Sequence, residues 1–185
     1  MKNSILLARL RACLRVEELM QELIAFLLTQ EITEFTLTYW GSASFIPSYS
    51  YATTRMLTWH NYYLESQQFH CDRYLVRTRQ SMIPEFWDVK EQLLQATCED
   101  EKIMRQDSLK YGVVAGVSFP IQGRQGSSAE LVIRQFQGGS DKYKNDDVTY
   151  QIFYYWHMFF ECFQLLLDGS NSSSDFLTKR ELECL

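Results

Sequence analysis

The stretch Val113-Val114-Ala115-Gly116-Val117-Ser118-Phe119-Pro120-Ile121, the loop Gln122–Ser128, and Ala129-Glu130-Leu131-Val132-Ile133-Arg134-Gln135-Phe136 decide the fold. Two apolar runs of strand length flank a loop rich in Gly, Ser and Gln, which is the signature of a β-hairpin. Upstream, Asp100–Tyr111 reads as a helix stopped by Gly112, since glycine suits the residue just past a helix end. Downstream, Asp146–Leu167 reads as a long aromatic helix with Val148, Ile152, Tyr155, Trp156, Phe159, Phe163 and Leu166 on one face. Tyr154 and Met158 lie off that face and are candidates for a dimer contact.

Earlier in the chain, apolar residues at three- and four-residue steps predict an amphipathic helix over Ser4–Thr29, broken near Val16. Ile32–Trp40 alternates through Phe35, Leu37 and Tyr39 and predicts a strand. Gly41-Ser42 marks a turn, with Ala43–Tyr49 as the partner strand. Met56–Phe69 reads as helix, Asp72–Thr78 as a connector or short strand, and Pro84 as the opening of a helical turn carrying Phe86 and Trp87. Helices mixed with hairpin-connected strands predict an α/β (α+β) sandwich on an antiparallel sheet. The run Asp168-Gly169-Ser170-Asn171-Ser172-Ser173-Ser174-Asp175 has the composition of a linker and predicts a domain boundary.

The chain has 185 residues, 46% hydrophobic and 15% aromatic, enough for a core with an internal cavity. Its net charge of −5, from 18 Lys and Arg against 23 Asp and Glu, argues against duplex DNA binding by these residues. Cys13, Cys71, Cys98, Cys162 and Cys184 are scattered, as in reduced thiols of the cytoplasm. No signal peptide or membrane span is expected, so the protein is predicted to be cytoplasmic and away from the membrane. His70-Cys71-Asp72 points alternately and has no distant partner cluster, so no metal site is expected. Gly138-Gly139-Ser140 is too short for a phosphate loop, and no cysteine–histidine pair carries an enzyme signature. Neither catalytic residues nor a cofactor are expected.

Two segments resemble the LuxR family of quorum-sensing transcription regulators. Trp59, Tyr63, Asp72 and Trp87 match the spacing of that family's autoinducer pocket. Ile83-Pro84-Glu85-Phe86-Trp87 is similar to its LPxFW segment, and Tyr111–Ile121 to its GLxxGxTxPL strand. Leu177-Thr178-Lys179-Arg180-Glu181-Leu182-Glu183-Cys184-Leu185 resembles the start of the family's helix-turn-helix domain. Thr178 with Glu181 gives a capping box there.

The resemblance implies an α-β-α sandwich with a central five-stranded antiparallel sheet and helices on both faces. It implies a sensor domain over residues 1–168, a linker over 169–176, and over 177–185 the first residues of a DNA-binding domain whose reading helix lies beyond them. The implied partners are an N-acyl-homoserine lactone or related small-molecule signal, a second copy of the chain, and DNA through the C-terminal domain only. An alternative is a solo module whose retuned or closed pocket answers a non-lactone ligand or none.

In the lactone reading, Trp59 donates to the lactone carbonyl, Asp72 accepts from the amide N–H, Tyr63 donates to the amide carbonyl and Trp87 packs on the ring. Phe35, Leu37, Tyr39, Leu75 and Val132 are candidates to line the slot for the acyl tail. The sequence departs from the family at three positions. Arg55 replaces a tyrosine, and stands to donate in its place, to pair with Asp72, or to face solvent. Val132 falls where Ser or Thr is common, and Arg73 where proline is usual.

Overall fold

The computed structural model describes residues 2–41, 46–139 and 141–170. They fall into two compact units, one made of the residues up to Phe26 and those from His157 on, the other of Leu27–Trp156. The first unit is helical. It holds α1 (Lys2–Ala12), most of α2 (Val16–Thr29) and the C-terminal half of α7 (Asp146–Ser170). The break between α1 and α2 falls at the expected place, where Glu18 accepts from Leu14 N–H at the start of α2. Leu10, Leu19, Leu23, Phe159 and Phe163 are buried, with Phe159 and Phe163 stacked one turn apart.

The second unit carries β1 (Phe35–Trp40), β2 (Tyr49–Ala52), β3 (Glu85–Asp88), β4 (Val113–Gln122) and β5 (Ser128–Phe136). They form a five-stranded sheet in the order β2-β1-β5-β4-β3, with every pair antiparallel. The quoted hairpin is the β4–β5 pair, and β5 is the middle strand. The α+β class and the five antiparallel strands agree with the sequence.

Four further helices lie between the strands: α3 (Thr54–Glu65), α4 (Arg73–Thr78), α5 (Val89–Leu94) and α6 (Glu99–Lys110). Met56 and Trp59 of α3, Val89 of α5 and Met104 of α6 form one buried cluster with Val113 and Phe136 of the sheet. Gly112 ends α6 at φ +82°, a left-handed conformation that suits glycine.

Three local expectations are corrected. The partner strand of β1 is Tyr49–Ala52, not Ala43–Tyr49, and residues 42–45 lie outside the described residues. Residues 73–78 are helix, not connector or strand, because the Asp72 carboxylate caps them by accepting from Tyr74 N–H and Leu75 N–H. Residues 85–88 are strand, not a helical turn, because they add to the edge of β4; the cap Asp88 then starts α5. The described residues end at Ser170, in α7, so the expected linker over 169–176 and the segment 177–185 fall almost wholly outside them.

The period of two sorts the sheet into two unlike faces. One carries Phe35, Leu37, Val117, Phe119, Leu131 and Ile133, all buried and all apolar. The other carries Thr36, Thr38, Trp40, Ser118, Glu130, Val132 and Arg134.

Candidate functional site

The polar face of the sheet, together with α3, α4, α5 and α6, lines a partly open cavity of about 80 Å³. Trp59, Tyr63, Asp72 and Trp87 all line it, as do Leu75 and Val132. Trp59 and Tyr63 stand one turn apart on α3 with ring centroids 6.0 Å apart. Trp87 comes from β3 and donates its indole N–H to Ser118 Oγ at 3.2 Å. Its ring lies over Gly116, where a Cβ would sit 2.4 Å from both that ring and the Ile133 carbonyl oxygen. Glycine at 116 is therefore what lets the indole lie across β4.

Asp72 is the most committed group in the cavity wall. Its Oδ1 accepts from Tyr74 N–H at 3.1 Å, Leu75 N–H at 3.2 Å and Arg105 Nη2 at 2.6 Å. Its Oδ2 accepts the Tyr63 hydroxyl at 3.1 Å. A carboxylate offers about four lone-pair directions, so a ligand N–H would find room chiefly at Oδ2. The Tyr63 hydroxyl already donates to Asp72, and burial with the adjacent Asp72 charge holds that phenol well above its ordinary pKa. Donation from Tyr63 to a ligand carbonyl would require the hydroxyl to turn away from Asp72.

Four expected residues do not line the cavity. Phe35, Leu37 and Tyr39 point to the opposite face of β1, and Thr36, Thr38 and Trp40 take their place. Phe35 and Leu37 are buried in the core, and Tyr39 is half-buried on the same face. Arg55 sits exposed at the start of α3, with its guanidinium 3.8 Å from the Phe136 ring centroid. Of its three open roles, pairing with Asp72 is not taken up, because Arg105 makes that pair.

Sequence reasoning missed the charged lining. Arg105 of α6 is 7% exposed and forms the Asp72 pair. Pairing offsets the desolvation of two buried charges only when geometry is good, and breaking such a pair costs about 3–5 kcal/mol. Glu130 and Arg134 lie on the middle strand with Val132 between them, all three on the cavity face. Ser118 hydrogen-bonds Glu130, which links Trp87 through Ser118 to that carboxyl. Burial nevertheless pushes Glu130 up to about 7, against the lowering effects of Ser118 and Arg134.

His60 pairs with Ser50 Oγ, and burial followed by the Arg134 charge pushes it down to about 3, so it is neutral here. Arg73, at the position of the family's proline, reaches Glu101 at 3.1 Å and the Gln95 carbonyl at 2.7 Å. The signal available in the sequence was the alternation Glu130, Val132, Arg134 inside an otherwise apolar strand.

Three buried polar atoms in cavity-lining residues have no hydrogen-bond partner among the described residues: Trp40 Nε1, Gln92 Oε1 and Arg105 Nε. An unpaired buried polar group costs about 1–3 kcal/mol, and folded proteins keep few of them. An occupant that supplied an acceptor for each N–H and a donor for the amide oxygen would recover that cost.

The family model described as the autoinducer binding domain matches residues 45–150. Among solved structures, the chain is similar to the N-acylhomoserine lactone dependent LuxR family transcriptional factor CepR2 from Burkholderia cenocepacia. The identity is 11% and the TM-score 0.61, over 94% of this chain and all of that one. Escherichia coli SdiA is similar at 14% identity and TM-score 0.69, over 96% of this chain and 73% of that one. SdiA in complex with octanoyl-rac-glycerol aligns at 14% identity and TM-score 0.65, over 96% and 71%. No curated protein sequence matches the chain.

Proposed function

The chain belongs to the autoinducer-binding domain family, and from that premise we propose that it is the sensor domain of a LuxR-type transcription regulator. Its signal is an N-acyl-homoserine lactone or a related small amphipathic molecule, bound in the cavity between the sheet and α3–α6. The observation that carries this reading is the convergence of Trp59, Tyr63, Asp72 and Trp87, four residues well separated in sequence, on one cavity.

Trp59 supplies an indole donor, Asp72 an acceptor at Oδ2, and Trp87 a flat apolar surface. Ligand burial adds RT ln(1 + [L]/Kd) to the stability of the bound form. That gain orders the domain and biases the dimerisation and DNA binding of the full-length regulator. The exposed Tyr150 and Tyr154 on α7 offer an aromatic surface to a second copy. No helix among the described residues is long and apolar enough to cross a membrane; the sensor role places the protein in the cytoplasm, with no catalytic residues or cofactor. Residues 1–168 form the sensor, 169–176 lead out of it, and 177–185 begin the DNA-binding domain.

A panel of N-acyl-homoserine lactones with varied acyl groups, read by thermal unfolding, tests this. At about 100 Kd the stabilisation is about 2.7 kcal/mol, or roughly 5–10 °C in Tm for a chain of this size. It should saturate and be lost in Trp59→Phe. A melting curve that none of the panel moves would end the lactone reading. The second reading, a retuned solo module, draws on the buried Asp72–Arg105 pair and on Glu130 and Arg134 of the sheet face, charged groups that line the cavity beside its apolar residues.

A further inference from the structure

We infer that Gln92 reads the head of the signal, and that this head is a cyclic amide whose ring N–H and carbonyl pair with the Gln92 side chain through two hydrogen bonds. This rests on the sensor role proposed above and deepens it by naming the class of head group.

Gln92 sits on α5 one turn after Val89, so the two share a face. Val89 belongs to the buried cluster that holds Trp59, and Trp87 packs against that cluster. Gln92 and Val89 both line the cavity, with Trp59, Asp72 and Trp87. This is the wall beside the two tryptophans, where the sensor reading seats the head of the guest.

Gln92 is 2% exposed, and its Oε1 has no hydrogen-bond partner among the described residues. Glutamine is mostly an exposed residue, and a buried acceptor left unpaired calls for a reason. The other glutamine on this side of α5 is in use, since Gln95 Oε1 accepts the Tyr74 hydroxyl at 2.8 Å. A leucine at 92 would close the same wall without burying an amide.

The other two unpartnered atoms in the lining residues, Trp40 Nε1 and Arg105 Nε, are donors, which a guest meets with acceptors. Among these three atoms, Gln92 Oε1 alone needs a donor. An N-acyl-homoserine lactone has a single N–H, in its acyl amide, and the sensor reading commits it to Asp72. The lactone ring itself carries only acceptors. Exchanging its ring oxygen for N–H gives a lactam of nearly the same shape, with a donor fixed beside the carbonyl. A carboxamide carries both an acceptor and donors, so the two amide edges match. The lactam N–H donates to Oε1 and Nε2 donates to the lactam carbonyl, whose second lone pair stays open to the Trp59 indole. A site built to hydrogen-bond an N–H rejects the analogue that lacks it far more strongly than an apolar wall rejects a small misfit.

Titration calorimetry of the whole chain tests the inference with two matched probe series, each in butanoyl, hexanoyl and octanoyl form: the N-acyl-homoserine lactones and the corresponding N-acyl-3-amino-2-pyrrolidinones. At the best chain length the lactam is expected to bind at least about tenfold tighter than its lactone. In Gln92→Leu, checked for folding by circular dichroism, that ratio is expected to fall to about one or below; if this variant does not fold, Gln92→Met is read in the same way. A parent that binds a lactone as tightly as its lactam overturns the cyclic amide and leaves the sensor role standing. A lactam preference that survives in the folded variant takes Gln92 out of the recognition and overturns the inference as well. If the parent binds neither series, the sensor premise fails and takes the inference with it.

Discussion

Replacing Glu130 by Gln isolates the cost of holding a carboxyl in the middle strand. Burial moves the group from 4.5 to about 7 in the folded chain. The folded state therefore keeps a proton that the unfolded chain releases between those two values. Its contribution to stability is fully present below pH 4.5 and is lost as pH rises through about 7. At about 1.4 kcal/mol per unit of pH, that interval amounts to about 3 kcal/mol.

His60 runs the other way, because its folded value of about 3 lies below its ordinary 6.5. Its contribution is present above 6.5 and is lost as pH falls towards 3, so the two titrations offset each other between 4.5 and 6.5. The difference between parent and Glu130→Gln removes the His60 part. Urea unfolding of both proteins at about pH 4.5 and about pH 8 measures it. The variant should gain about 3 kcal/mol on the parent across that range, since glutamine stays neutral and still accepts from Ser118. A parent-to-variant difference that is the same at both pH values would refute the burial argument for Glu130.

Asp72→Asn leaves Arg105 buried without its charge partner and should lower stability by about 3–5 kcal/mol in the same unfolding assay; a loss below about 1 kcal/mol would mean that water already screens the pair. Gly116→Ala forces a methyl against the Ile133 carbonyl and the Trp87 ring, with an expected cost of about 1–3 kcal/mol and a change in tryptophan emission as the indole shifts. An unchanged emission spectrum would show that the strand gives way instead. Arg55→Ala removes only an exposed cation–π contact with Phe136, so it should cost about 0.5–1 kcal/mol and leave ligand affinity unaltered.

The framework was legible where a local rule had one outcome. The two runs around Gln122–Ser128 could pair only as a hairpin, and Gly112 marked the end of α6. Trp59, Tyr63, Asp72 and Trp87 are picked out by the resemblance to the LuxR family's pocket pattern rather than by any local rule, and all four line the cavity. What failed was the choice of face. Phe35, Leu37 and Tyr39 were assigned to the ligand because they are apolar, but alternation says only that two faces differ, and the core had the prior claim on the apolar one. Arg105 was invisible because nothing local distinguishes a buried arginine on a polar helix from an exposed one. Pro84 misled because proline suits both a helix start and the residue before an edge strand, and only the tertiary pairing with β4 decides between them.

One oxygen pair at Asp72 ties the first turn of α4 to the phenol of α3 and the guanidinium of α6. Three separate stretches of backbone thus share a single fastening, and it faces the chamber. On the sensor reading, a guest that drew on that oxygen pair would act on all three helices at once.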